Sequence, residues 1–307
     1  MVDGPSTIVA GMALLAMAAT VLVPAPARAQ VAALTAQCSA LPAGDARRYC
    51  NLVAEAVVTV QPVLGIAAAG GNPVAGTAST VGMRMGASPR LSLTARASGV
   101  LAQSPGILSA TATGTRHFFV PALGVDGALG LLEGLSLAPT VGGVLSLDAL
   151  AGLTLVPLPG DFQERAKLSW AVGGRLGLLR ESFTLPGVSA SLMYRRLGRV
   201  TLGDPSLVAS DGFFRSSLSM LSLRGAASKR IYLLDVTVGA GLDRILSDTR
   251  FGSAATSVPY TYTANGLKTD RGCAFVDVAW TSLELLPVGA GTAGGALFGS
   301  LALRLTI

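Results

Sequence analysis

Charge is scarce in this 307-residue chain: only 13% of residues are charged, aromatics make up 5%, and there is a single histidine, His117. A typical soluble enzyme carries about twice that charge, and one histidine gives little material for general-base chemistry. The three cysteines, Cys38, Cys50 and Cys273, form no cluster with His at metal-ligand spacing. No glycine-rich segment reads as strand, phosphate loop and helix, so no metal or nucleotide cofactor is expected. After residue 30 no uninterrupted apolar run is long enough for a membrane helix; the uncharged stretch from Ala56 to Met83 is broken by Pro62, Gly70, Gly71, Asn72 and Pro73.

Apolar residues are plentiful at 50%, and glycine is abundant at 38 residues. The N-terminus has the form of a secretory signal. Ile8 to Val23 is an apolar core, and Ala27 and Ala29 place cleavage after Ala29, although Met1 to Thr7 contains Asp3 and no Lys or Arg. Residues 1–29 are read as signal peptide, 30–60 as a periplasmic segment with a short helix, and 61–307 as the main domain. In an oxidising compartment Cys38 and Cys50 can close a small loop; the alternative is that they pack at a helix start. The net charge of +6 is scattered singly, which does not suit nucleic acid; lipopolysaccharide phosphates or anionic solutes suit it better.

From Gln61 onward the apolar period is two. Leu297, Gly299, Leu301, Leu303, Leu305 and Ile307 share one face, against Phe298, Ser300, Ala302, Arg304 and Thr306 on the other. The same alternation marks Leu91 to Ser98, Leu145 to Leu155, Leu221 to Ala226 and Tyr232 to Gly239. Candidate strands are 61–71, 75–86, 89–101, 118–131, 143–156, 166–180, 187–198, 214–229, 230–244, 272–285 and 294–307, most of them long enough for a tilted membrane crossing. Eleven is odd, whereas a bacterial barrel has an even number; 61–71 is the most suspect, and ten or twelve strands both stay open. The segment 245–271, with Tyr260 to Gly266, reads as a long exposed hairpin or binding loop, or as the extension of two long strands.

Ten candidate strands each carry an ionisable residue on the polar face: Arg84, Arg96, Asp126, Asp148, Arg175, Arg195, Arg224, Asp235, Asp277 and Arg304. Charge on the lipid side is costly, so a membrane barrel keeps it on the lumen side. A soluble β-sandwich with one wet face is the alternative.

The alternation over residues 61–307, most specific at Leu297 to Ile307, resembles bacterial outer-membrane β-barrel proteins, although the last residue is Ile307 rather than an aromatic. The resemblance implies an all-β fold, a closed antiparallel transmembrane barrel of about 10–12 strands behind a short helical leader. It also implies contact with outer-membrane lipids and lipopolysaccharide, and a terminal strand read by the barrel-assembly machinery. The functions it leaves are a narrow pore or transport barrel, an envelope structural barrel whose Arg and Asp pair across the lumen, or a non-transporting binding barrel. A lipid hydrolase would have to use His117, which reads instead as an interfacial residue beside Phe118 and Phe119.

Overall fold

The computed structural model describes residues 26–82, 89–107, 115–136, 142–183, 185–203, 212–253, 259–280, 287–293 and 296–307. Two helices come first, α1 (Pro26–Cys38) and α2 (Asp45–Ala69). Ten strands follow among the described residues: β1 (Leu91–Pro105), β2 (Thr115–Leu132), β3 (Ser146–Pro157), β4 (Ala166–Leu179), β5 (Gly187–Leu202), β6 (Phe213–Ile231), β7 (Leu234–Ser253), β8 (Tyr260–Trp280), β9 (Val288–Ala293) and β10 (Ala296–Thr306). Each strand pairs antiparallel with its sequence neighbour, and β1 pairs with β10, from Ser92 opposite Thr306 to Leu101 opposite Leu297. The barrel is closed and its count is even, as a membrane-spanning barrel requires.

The apolar face of the strands points outward. Leu153 is 55% exposed, Leu168 60% and Leu303 54%, while their neighbours Thr154, Ser169 and Arg304 are buried. In a sandwich those leucines would meet each other between two sheets, so the sandwich alternative is excluded. Outward apolar positions run from Leu147 to Leu155, Leu234 to Leu242 and Leu297 to Leu305. Each run spans about 9 residues, the length of a tilted bilayer crossing.

The two rims differ. At the proximal rim β1 begins and β10 ends, and β6 turns into β7 through Tyr232 and Leu233 alone. At the distal rim β6, β7 and β8 run on beyond the apolar band. Their outward positions there are polar, among them Arg215, Ser217, Arg244, Asp248, Arg250 and Lys268. Arg244 donates to Asp270 across the β7–β8 pair and holds that carboxyl below its ordinary range.

Two expectations are corrected, and of the readings left open for 245–271 the extension of two long strands holds among its described residues. Residues 61–69 are not a strand: α2 continues to Ala69 and ends at Gly70, whose left-handed φ of 61° a side chain would strain. Residues 75–82 are not a strand either; they are irregular chain lying inside the barrel, and 83–88 fall outside the described residues. Tyr260 to Gly266 belongs to β8 and pairs with β7, with Tyr260 buried rather than exposed. Burial beside Tyr49 and Tyr262 pushes the Tyr260 hydroxyl above its ordinary range. Two false strands leave, and one hidden strand, β9, enters: a short run of Val288, Gly289, Ala290, Gly291, Thr292 and Ala293 with no leucine to mark its outward face.

Helix α2 explains the first correction. Among the described residues it alone is long and apolar enough to cross a membrane, with mean hydropathy 1.8, yet 83% of that window is buried inside the protein. A helix enclosed by a barrel is apolar all round and shows no 3.6-residue stripe. Its last turns are rich in small residues, Gly65, Ala67, Ala68 and Ala69, which let it approach the wall. A Cβ on Gly65 would come within 3.3 Å of the Met220 sulfur.

Cys38 and Cys50 form a disulfide across the short turn joining α1 to α2. Cys273 is free and buried. Arg47 donates from Nε to the Leu41 carbonyl at 2.9 Å inside the same turn. With the cysteines 12 positions apart, the bridge contributes on the order of 3 kcal/mol by restricting the opened hairpin. Cys38→Ser is therefore expected to make the turn around Pro42 a ready protease site, while the barrel keeps its heat-modifiable gel migration. Unchanged resistance to limited proteolysis would remove the assigned role of the bridge.

Candidate functional site: the occupied lumen

The inner face of the barrel encloses chain from α2 to Val81. At the distal rim the Tyr49 hydroxyl donates to the Ile107 carbonyl, just beyond β1. Farther in, the Gln61 amide nitrogen donates to Ser216 at 3.0 Å and Thr249 at 2.6 Å, while its oxygen accepts from Ser247 at 2.8 Å. Leu64 and Ile66 are buried in the same apolar cluster as Met220, Ile245 and Phe298 of the wall.

Below Gln61 the predicted ionisable residues appear. The C-terminus of α2 carries the negative end of the helix dipole and carbonyls without helical partners. Arg195 donates to the Ala68 carbonyl at 3.1 Å. Arg96 donates to the carbonyls of Gly70 and Asn72, the latter at 2.6 Å. Beyond the helix the chain has no ladder of its own, and the wall supplies partners residue by residue. Arg304 donates to the Ala75 carbonyl at 2.8 Å, and Arg175 to that of Thr77 at 3.5 Å. In the other direction Gly76 N–H donates to Asp277 at 3.5 Å, Ala78 N–H to Ser228 at 3.0 Å and Val81 N–H to Asp148 at 3.0 Å.

Arginines therefore meet carbonyls and aspartates meet amides. Non-helical chain at membrane depth is tolerable only where its backbone groups find partners, and these side chains provide them. The same residues compensate one another's charge. Asp148 stands opposite Arg175 in the β3–β4 register and accepts from its Nη2 at 2.7 Å, with both side chains nearly solvent-free at 0% and 2%. Arg224 and Asp243 approach to 2.8 Å, Arg96 and Asp126 to 3.3 Å, and Asp235 accepts from Arg230 at 3.1 Å.

Of the ten singled-out residues, Arg96, Asp126, Asp148, Arg175, Arg195, Arg224, Asp235, Asp277 and Arg304 are buried on the inner face. Arg84 lies outside the described residues. Asp243 had not been singled out, although it shares the face of Asp235 and lies eight positions farther along the same strand. Gln61 was also missed, hidden in a segment read as strand. His117 is exposed on β2, opposite Gln103.

Toward the proximal rim the lumen widens into a vestibule of about 1090 Å³, floored by Val74, Thr77 and Val81. Arg175, Arg180, Lys229 and Arg304 line it together with Glu181 and Asp235.

No protein-family model matches the chain, and no curated protein matches it in sequence. Among solved structures it is similar to the copper transporter OprC, at 14% identity and TM-score 0.28 over 71% of this chain and 42% of that one, so it spans less than half of OprC. It is similar to the translocator domain of autotransporter NalP from Neisseria meningitidis, at 10% identity and TM-score 0.34 over 70% and 87% of the two chains. It is also similar to the Ralstonia pickettii toluene transporter TbuX, at 10% identity and TM-score 0.29 over 71% and 88%. Closed ten-strand pairing, an apolar outer band and buried inner charges together give this chain the architecture of an outer-membrane β-barrel.

Proposed function

We propose that this protein is an outer-membrane barrel held closed by its own N-terminal chain, an envelope protein rather than an open diffusion pore. The observation that carries the reading is the chain from Gln61 to Val81, bound to the wall by side chains of β1, β3 to β8 and β10. Its outer band faces membrane lipid. The outward arginines of the distal rim suit the phosphates of lipopolysaccharide. The amphipathic β10, with Leu297 to Ile307, is the segment offered to the barrel-assembly machinery. Cofactors and nucleic acid have no place in this reading.

A transport role is the second reading, and the proximal vestibule favours it. Its floor is the irregular part of the plug, held by hydrogen bonds from wall side chains and by the packing of Val74 against Ala128, Leu150, Ala171 and Met193, and mainly cationic groups line it. An anionic solute would gather there before any displacement of residues 70–82.

The test is conductance. Purified protein in planar bilayers is expected to show no stable open state, and a variant lacking residues 30–82 to show discrete steps. Stable ion flow through the intact protein would overturn the closed-barrel reading.

A further inference from the structure

Helix α2 enters the lumen from the distal rim, the end opposite to the start of β1 and the end of β10. Tyr49, near its beginning, bonds beside the β1 end at Ile107, and α1 with the first turns of α2 packs among Phe162, Leu202, Phe251 and Tyr260, all at that rim. Gln61 lies deeper, between β6 and β7. Ala68 and Gly70 reach Arg195 and Arg96, at mid-height on β5 and β1. Ala75 to Val81 meet Arg304, Asp277, Ser228 and Asp148 toward the proximal rim, where β1 then begins at Leu91. The chain thus runs the whole height of the barrel inside before it starts to build the wall.

We infer that the disulfide-closed α1–α2 hairpin is displayed on the outer surface of the cell, having crossed the outer membrane through the barrel formed by the same chain. The inference rests on the outer-membrane reading above and departs from the expectation that residues 30–60 are periplasmic.

Two independent features orient the barrel. The proximal rim carries the terminal strand end that an assembly machinery would read from the periplasm, beside the two-residue turn at Tyr232 and Leu233, although the longest connection between strands, 133–145, lies there too. The distal rim projects as extended β6, β7 and β8, the form of an extracellular face. Its outward side is cationic: Arg215 stands directly opposite Arg250, one strand away from Arg199 opposite Ser217. Like charges paired across a ladder destabilise it unless an anion lies between them. The phosphate-rich outer leaflet supplies such anions.

What the hairpin presents is small and polar. Ser39, Ala40, Pro42, Ala43, Gly44, Asp45 and Arg48 are exposed, whereas Leu34, Leu41, Tyr49 and Val53 are buried beneath them. The disulfide between Cys38 and Cys50 locks this tip on the side of the distal rim, where Tyr49 bonds beside Ile107.

Two versions of the full-length protein test the inference, each carrying one epitope insertion in an exposed turn, between Ala43 and Gly44 or between Tyr232 and Leu233. Antibody is expected to bind intact cells bearing the first and to bind the second only after the outer membrane is permeabilised. The opposite pattern, or a first epitope that needs permeabilisation, would overturn the display while leaving the barrel reading intact. Recovery of both proteins in the soluble periplasm would overturn both. Should an insertion block assembly, Asp45→Cys and Tyr232→Cys labelled by a membrane-impermeant maleimide repeat the comparison with single substitutions, with the same patterns deciding.

Discussion

Asp148→Ala is expected to cost the folded barrel about 3–5 kcal/mol, because it strips the partner from a fully buried Arg175. The loss has two parts. Arg175 keeps its charge in a dry environment with only the distant Thr77 carbonyl left to it, and the Val81 amide loses its acceptor. Denaturant unfolding of the purified barrel, followed by the shift between compact and extended gel species, reads the change. A double variant, Asp148→Leu with Arg175→Met, should recover most of the loss, since replacing a buried ion pair by apolar side chains is often neutral or stabilising. A single variant as stable as the parent protein would mean that water reaches this pair and that the lumen is wetter than the structure shows.

The second large effect concerns the opposite face. Leu303 is 54% exposed on the outside of β10, opposite Ala95 of β1, one outward position from Leu301 at the middle of the run Leu297 to Leu305. Leu303→Arg is expected to cost about 2–4 kcal/mol, as does an arginine near the bilayer midplane. The readout is the fraction of protein recovered in the outer membrane as heat-modifiable barrel. The same change at Thr261, outward on β8 beyond the apolar band, is expected to cost at most about 1 kcal/mol. Equal tolerance at the two positions would contradict the membrane level assigned to the strands.

The wall of this protein was largely legible in its sequence, and the contents of the lumen were not. Apolar residues at every second position identified nine of the ten strands, because the bilayer demands apolar groups outside at fixed spacing. β9 escaped because its partners need it small. A Cβ on Gly291 would fall 2.4 Å from the ring of Phe298, and one on Gly289 would fall 2.3 Å from an Asp277 oxygen. The enclosed half of α2 escaped for a different reason. Val60 to Ala69 is buried on every side, so neither a helical stripe nor a charged face marks it.

The charged positions occupy a middle ground. Nine of the singled-out residues do face inward and are buried. What spacing alone left undecided was whether they border water, pair with each other or grip something else. The structure shows them doing the last two together, and the object they grip is a stretch of the same chain that reads, by pattern, as two more strands.

The wall holds residues 68–81 by their carbonyls and amides, and it also engages side chains there: Val74 packs with Ala128, Leu150, Ala171 and Met193, Thr80 bonds Ser146, and Ser79 accepts from the Glu181 amide. Over evolutionary time Gly70, Gly71 and Gly76 are the positions least free to change. Their left-handed backbones, with φ between 61° and 82°, set the path that brings each peptide group to its arginine or aspartate.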